Sequence, residues 1–345
     1  MPVRVALVGA GQVAKVHLEA LRDASAIDVV GIFDQDQARA RERAAEGGVS
    51  TVYESWDALL GDDTVQCVGV LLPHDLHEQF TTEALAAGKH VVCEKPLGQS
   101  IAEMDRMLAA AERAGRVLLP VHNRVYSHAV ERLQEIVAAD GLGEVILAQT
   151  TGFEGPRTVG VRPWLATKRG GGGVLIAQAV HPAYVLRTLL GDVARVSCQF
   201  GDLKVVDMTA EDTAVVTLKF ASGAVAEMTS TFGVAHGPFE HGIILHGRDG
   251  YAQLGVRNDD PDQRFGLQAI SPRLFGDTEL HDIKVTTPDI STTSFRRMWE
   301  DYARGLSGAG AARTTGEDGK RAVEVILAAY RSNETGRTVE LPLPA

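Results

Sequence analysis

The chain has 345 residues, 45% of them hydrophobic, and its 45 acidic against 34 basic side chains give a formal charge of −11. That length exceeds what one core usually supports and predicts two domains, while the acidic balance, with no Lys/Arg cluster, excludes nucleic acid and anionic membrane as partners. No apolar run approaches the roughly 18 residues of a membrane span, and no basic leader precedes the first apolar segment. Cys67, Cys93 and Cys198 sit in apolar runs without metal-ligand spacing. A cytoplasmic protein with buried thiols and no metal is therefore expected.

Val3–Val8 reads as a strand, and Gly9-Ala10-Gly11-Gln12-Val13-Ala14 follows at once, opening a helix over Val13–Arg22. This is a G-x-G-x-x-A dinucleotide fingerprint in the strand-to-helix context it requires. Gly9 permits the tight turn, Gly11 lets backbone approach a pyrophosphate, and Ala14 lets the helix pack closely; the N–H groups around Gln12 and Val13 then face the anion. A second strand, Asp28–Phe33, ends in Asp34, where an acidic side chain accepts hydrogen bonds from the adenosine ribose. Gln35 follows, not Arg, so a 2′-phosphate would meet a carboxylate with no adjacent cation. NAD is expected over NADP, and Arg39 and Arg41, a helical turn onward, are the residues able to upset that expectation. Asp34 also suits the N-cap of a helix over Gln35–Ala45.

The alternation continues through Trp56–Leu60, strand Val65–Leu72, helix Leu76–Ala87 and the Val-rich strand Lys89-His90-Val91-Val92-Cys93. A capping box, Ser100-Ile101-Ala102-Glu103, opens a helix to about Ala114, and Val117–Val121 is one more strand. Such βα units predict an α/β doubly wound parallel sheet. Ligands in these sheets bind beyond the carboxyl ends of the strands, where Leu72, Pro73 and His77 fall after one strand and Glu94 and Lys95 after another.

Gly9-Ala10-Gly11, the Leu72-Pro73…His77 segment, Ala87-Gly88-Lys89-His90-Val91 and above all Glu94-Lys95-Pro96 resemble the glucose–fructose oxidoreductase / inositol dehydrogenase / rhizopine catabolism (Gfo/Idh/MocA) family. The resemblance runs on through His122-Asn123-Arg124, the glycines 170–173 with His181 behind them, and the ending from Gly316 to Gly336. It implies an N-terminal Rossmann domain over residues 1–121, then an α/β domain over 122–345 with an open, mostly antiparallel sheet. It further implies action on sugars, cyclitols or related alcohols, and a homodimer or homotetramer.

The second half itself changes pattern, with longer strand-like runs at Val145–Thr151, Val193–Phe200, Thr213–Phe220, Ala224–Phe232 and Gly242–His246, and a hairpin signal at Ser222-Gly223. Residues 152–173 form too long a connector and carry Arg157, Arg162, Trp164, Lys168 and Arg169, so a binding role is expected. Substrate-binding candidates are His122, Arg124, Arg162, Trp164, Gln178 and His181. Helical spacing puts Ala177, Gln178 and His181 on one face, and Pro182, lacking an N–H, releases the carbonyl of Gln178 and distorts the turn presenting His181. Relatives usually carry Asp four residues before this histidine and a second Asp three residues after it; here those positions are Ala177 and Tyr184. A pocket suited to a bulkier group beside the reacting carbon is the expected consequence.

Oxidising a secondary alcohol needs a group to take the hydroxyl proton, and histidine has a suitable unperturbed pKa, whereas lysine at about 10.4 would first have to be perturbed. Lys95 and His181 are therefore the catalytic candidates, His181 as acid/base and Lys95 polarising the oxygen. Glu94 is expected to orient Lys95, and Gln178 to replace the missing carboxylate. Two other classes stay open: an NAD-dependent glycosidase using transient oxidation, and a catalytically silent nucleotide-sensing regulator.

Overall fold

A computed structural model describes residues 1–160, 163–168, 171–201, 207–234, 240–255, 266–283 and 290–344. They fall into two compact units, Met1–Tyr126 with Ser291–Lys320, and Ser127–Ile290 with Arg321–Ala345. In chain order the elements begin β1 (Val3–Val8), α1 (Gln12–Leu21), β2 (Ile27–Phe33), α2 (Gln37–Gly47), β3 (Thr51–Val52), α3 (Trp56–Leu60) and β4 (Cys67–Val70). Next come α4 (His77–Ala86), β5 (His90–Cys93), α5 (Ile101–Ala114), β6 (Leu118–Pro120), α6 (His128–Ala138), β7 (Val145–Phe153) and α7 (Arg157–Gly160). They continue as α8 (Val180–Leu190), β8 (Val193–Phe200), β9 (Thr213–Phe220), β10 (Val225–Thr231), β11 (Glu240–Gly247) and β12 (Tyr251–Gly255). The last are β13 (Gly266–Ile270), α9 (Pro272–Phe275), β14 (His281–Ile283), α10 (Ile290–Leu306), α11 (Gly316–Thr335) and β15 (Val339–Glu340).

In the first unit six parallel strands lie in the order β3-β2-β1-β4-β5-β6. Val5, Ala6, Leu7, Cys67, Val68, Val70, Val91, Val92 and Cys93 are fully buried, as strands covered on both faces require. The strand order reverses between β1 and β4, so the ligand crevice of this doubly wound sheet belongs at their carboxyl ends. The helix caps follow side-chain chemistry: Ser100 Oγ accepts from the Glu103 amide at the start of α5. At α2, Asp36 is the N-cap, accepting from the amides of Ala38 and Arg39, so the cap assigned to Asp34 moves two residues on. Asp34 is turned back toward the glycine loop instead.

The first unit is not one contiguous stretch, as a single cut at 121/122 would make it, because the chain re-enters it at Ser291. The reason is the apolar face of α10, which buries Met298, Trp299 and Tyr302 completely. Trp299 lies over Gly69, where a Cβ would stand 3.7 Å from its ring.

In the second unit nine strands lie in the order β14-β13-β12-β11-β7-β10-β9-β8-β15. All the pairings are antiparallel save β7 with β10, which is parallel. Strands β9 and β10 alternate buried and exposed residues, the signature of a sheet packed on one face. The described part of 152–173 holds α7 and a 3₁₀ turn at Pro163–Ala166. Among the described residues no helix is long and apolar enough to cross a membrane.

Candidate active site

The glycine loop leaves β1 at Gly9, whose φ of +98° and Cβ position only 2.3 Å from the Leu71 carbonyl oxygen admit no side chain. Beside Gly11 the corresponding position meets nothing within 4 Å. Gly11 is the N-cap of α1 and provides no side-chain cap, so the helix presents its first-turn amides to whatever fills that space. Buried Ala14 packs the helix down, and Gln12 and Val13 occupy the first turn, exposed and half-buried.

Asp34 anchors this loop, its Oδ2 accepting from the Ala10 amide at 2.7 Å and its Oδ1 from the Asp36 amide at 2.9 Å. Arg39, in the first turn of α2, donates to both oxygens, through Nη2 to Oδ1 at 2.7 Å and through Nε to Oδ2 at 3.3 Å. The expectation that Asp34 has no cation beside it is therefore corrected: the cation is brought back by the helix, not by the next residue. Burial works to raise the Asp34 pKa, but the hydrogen bonds from Arg39, Ala10 and Asp36 outweigh it and hold the carboxyl below the usual range. Open backbone at Gly11, an uncapped helix start and an ionised carboxylate at the end of β2 together fit a dinucleotide.

At the end of β5, Glu94 is 6% exposed and its Oε2 accepts from the Lys95 amide at 3.0 Å. Its Oε1 lies 3.1 Å from Nε2 of fully buried His17. The Trp299 indole N–H can only donate, and it reaches His17 Nδ1 at 2.9 Å, so the His17 proton sits on Nε2 and points at Glu94. Burial works to raise the Glu94 pKa, yet the hydrogen bond from His17, with Lys95, holds it low. Glu94 thus fixes the backbone of the half-buried Lys95 from inside the core.

His77 joins two strand ends: Nδ1 is 2.7 Å from the Pro96 carbonyl oxygen and Nε2 is 2.9 Å from that of Leu72. The doubly protonated ring donates to both. Burial opposes that charge, but Cys93 and the two carbonyls prevail and raise the pKa to about 9. Leu72, Pro73, His77, Glu94 and Lys95 are thereby brought to one edge of the sheet. Farther on in this unit, His122 is buried, its amide bonded to the Pro120 carbonyl, and Arg124 is half-buried on a 3₁₀ turn at Asn123–Tyr126.

In the second unit, residues Leu175–Ala179 form a π turn running directly into α8, with the Val180 amide reaching back to the Leu175 carbonyl. Pro182 stands in the first turn of α8, where the missing N–H was expected to distort the chain. Gly173 opens this segment at φ +118°, its Cβ position 2.3 Å from a Glu211 carboxylate oxygen, and the other side of that contact is a cap: Glu211 accepts from the Leu175 amide at 3.0 Å. Ala177, Gln178 and His181 are all buried. His181 Nδ1 lies 2.8 Å from the Tyr184 hydroxyl, one helical turn onward. Gln178 Nε2 donates to His241 Nδ1 at 3.1 Å, and His241 Nε2 is 3.5 Å from Glu154. Trp164 is half-buried on its 3₁₀ turn, whereas Arg162 lies outside the described residues.

Sequence reasoning missed His17, Trp299, Tyr184 as a partner, His241 and Glu154. His17 had a local signal, a polar residue on the buried stripe of α1. Trp299 had none.

The family model described as "Oxidoreductase family, NAD-binding Rossmann fold" matches residues 3–122, and the "GFO/IDH/MocA C-terminal domain" matches residues 130–253. The chain is 30% identical over 325 residues to D-xylose 1-dehydrogenase (NADP(+)) 2 of Haloferax volcanii, covering 92% of this chain and 93% of that protein. It is 28% identical to 1,5-anhydro-D-fructose reductase of Ensifer adhaerens over 98% of both chains. Among solved structures, GenD2 from gentamicin A biosynthesis in complex with NAD superposes with a TM-score of 0.84 at 27% identity, over 99% of this chain and 97% of that one.

Proposed function

The chain belongs to the GFO/IDH/MocA family of NAD-binding oxidoreductases, and on that premise we propose that it moves a hydride between the nicotinamide and a secondary alcohol of a sugar, glycoside or cyclitol, with Lys95 polarising the oxygen and His181 as acid/base. The relatives named for sugar substrates support the substrate class. NAD, when bound, supplies the hydride acceptor.

The chain's own residues then have three tasks. The glycine loop and the start of α1 hold the pyrophosphate by backbone amides, and Asp34 addresses the ribose. Lys95 donates a hydrogen bond to the substrate oxygen, lowering the cost of the negative charge that develops as its proton leaves. His181 receives that proton in oxidation and returns it in reduction; with Nδ1 on Tyr184, exchange is assigned to Nε2. The observation carrying the proposal is the locked main chain at Lys95: a buried carboxylate, itself held by His17 and Trp299, bonds the lysine's own amide. A main chain held that rigidly at the ligand edge of the sheet supports a chemical role for Lys95 over a merely solvated one.

The test is NADH formation with a panel of sugars, glycosides and inositols, followed by Lys95→Ala and His181→Ala on the best substrate. His181→Ala should lower turnover by about 10²–10⁴ while calorimetric NAD affinity stays within twofold. Undiminished turnover in the His181 variant would remove it from the acid/base role, and undiminished turnover without Lys95 would remove the lysine.

A further inference from the structure

A carboxylate offers about four lone-pair sites, and Asp34 has four donors on them. Oδ1 takes the Asp36 amide and Arg39 Nη2; Oδ2 takes the Ala10 amide and Arg39 Nε. The two amides belong to the fold, one in the glycine loop and one at the N-cap of α2, and cannot leave without undoing both. The other two donors belong to a side chain that is 49% exposed, against 8% for Asp34. Ribose hydroxyls that bind Asp34 must therefore displace Arg39. A 2′-phosphate has the opposite requirement, since its charge is repelled by Asp34 and attracted by a guanidinium whose planar fork matches phosphate oxygens.

We propose that Arg39 is the cofactor-discriminating residue of this chain, a swinging cation that yields Asp34 to the ribose hydroxyls of NAD and turns to the 2′-phosphate of NADP, so that the protein accepts both. The neighbouring charges agree with that role. Arg43, one turn onward, is buried, bonded to the Ala10 carbonyl oxygen at 3.4 Å and paired with Glu46, so it is committed to the loop. Asp36 is occupied in capping the amides of Ala38 and Arg39. Arg39, by contrast, is half exposed and exchanges one bidentate ion pair, to the buried Asp34, for another, to the phosphate. The carboxylate alone therefore does not set the preference for NAD; it is the outcome of a competition in which Arg39 takes part on both sides.

This rests on the reading that the end of β2 addresses the adenosine ribose, and the experiment separates the two. Calorimetric dissociation constants for NAD and NADP are measured on the wild type, Arg39→Ala, Arg39→Lys and Asp34→Asn. Wild type should bind both, NAD more tightly. Arg39→Ala should weaken NADP by about tenfold or more while NAD stays level or tightens, so the NADP/NAD ratio of dissociation constants rises at least tenfold; Arg39→Lys, which keeps the charge but not the fork, should fall between. A ratio within twofold of wild type in Arg39→Ala, or an equal weakening of both cofactors, overturns the proposal. If Asp34→Asn still weakens NAD in that case, the ribose reading stands and only the role of Arg39 is lost. If neither variant alters either cofactor, both are lost.

Discussion

Tyr184 changes what His181 can do. A carboxylate beside an imidazole fixes its tautomer and stabilises the imidazolium, whereas a phenol hydroxyl can donate to Nδ1 or accept from it and carries no charge. The 2.8 Å contact therefore supports both neutral tautomers, of which the one carrying its proton on Nδ1 is ready to accept a proton at Nε2; the imidazolium so formed returns it in reduction. Gln178, three residues before His181, donates to His241, which lies 3.5 Å from Glu154. Replacing Tyr184 by Phe removes one neutral hydrogen bond of about 1 kcal/mol and leaves the ring in place, so turnover should fall by up to about tenfold with KM and NAD affinity nearly unchanged. Steady-state kinetics on the best substrate checks this: a rise in KM at constant kcat would make Tyr184 a substrate-binding residue instead.

The elements that position these groups differ in how far the sequence shows them. The loop from Gly9 to Ala14, the buried strand β5 and the cap at Ser100 depend on neighbours a few residues apart, and each lies where local pattern puts it. The Trp299–His17 bond joins residues 282 apart, and Gln178–His241 joins residues 63 apart, distances at which no periodicity operates. Arg39, only five residues from Asp34, was legible as a residue able to upset the cofactor preference, but not its bidentate contact; with Asp36 as the cap, helix α2 turns Arg39 back over Asp34. His77 is the element-scale device, tying the chain after β4 to the turn after β5 through two carbonyls. Its folded pKa, raised to about 9, lies above the unfolded value of about 6.5. The charged ring therefore contributes its full stability below pH about 6.5, and that contribution is lost as pH rises through about 9, on the order of 3 kcal/mol in all. Urea unfolding across this range should show a fall in wild type that His77→Gln lacks. Parallel pH curves for the two proteins would mean that the ring is neutral in the fold.

At the scale of the whole molecule, the unpacked face of the second sheet asks for a cover. On β10 the outward residues are Val225, Glu227, Thr229 and Thr231, and on β9 they are Thr213, Val215, Thr217 and Lys219, alternating with buried neighbours. Val225 pairs with Leu147 on one side and Lys219 on the other, and Val215 pairs with Thr229, so Leu147, Val225 and Val215 lie across three adjacent strands. Val215 and Val225 are 40% and 41% exposed. A face on which Leu147, Val215 and Val225 lie across adjacent strands, with Glu227 and Lys219 as its charged groups, is a poor surface to leave in water. We propose that a second copy of the chain covers it, in a homodimer or homotetramer whose self-complementary contact needs no opposite charge. Sedimentation velocity at tens of micromolar should find wild type as a dimer or larger. Val215→Glu combined with Val225→Lys, both on the solvent side of their strands, should give monomers with unchanged circular dichroism and unchanged NAD binding, because the dinucleotide loop belongs to the other unit. Monomeric wild type would leave the face solvated after all, and an assembly that survives both substitutions would have to be held elsewhere.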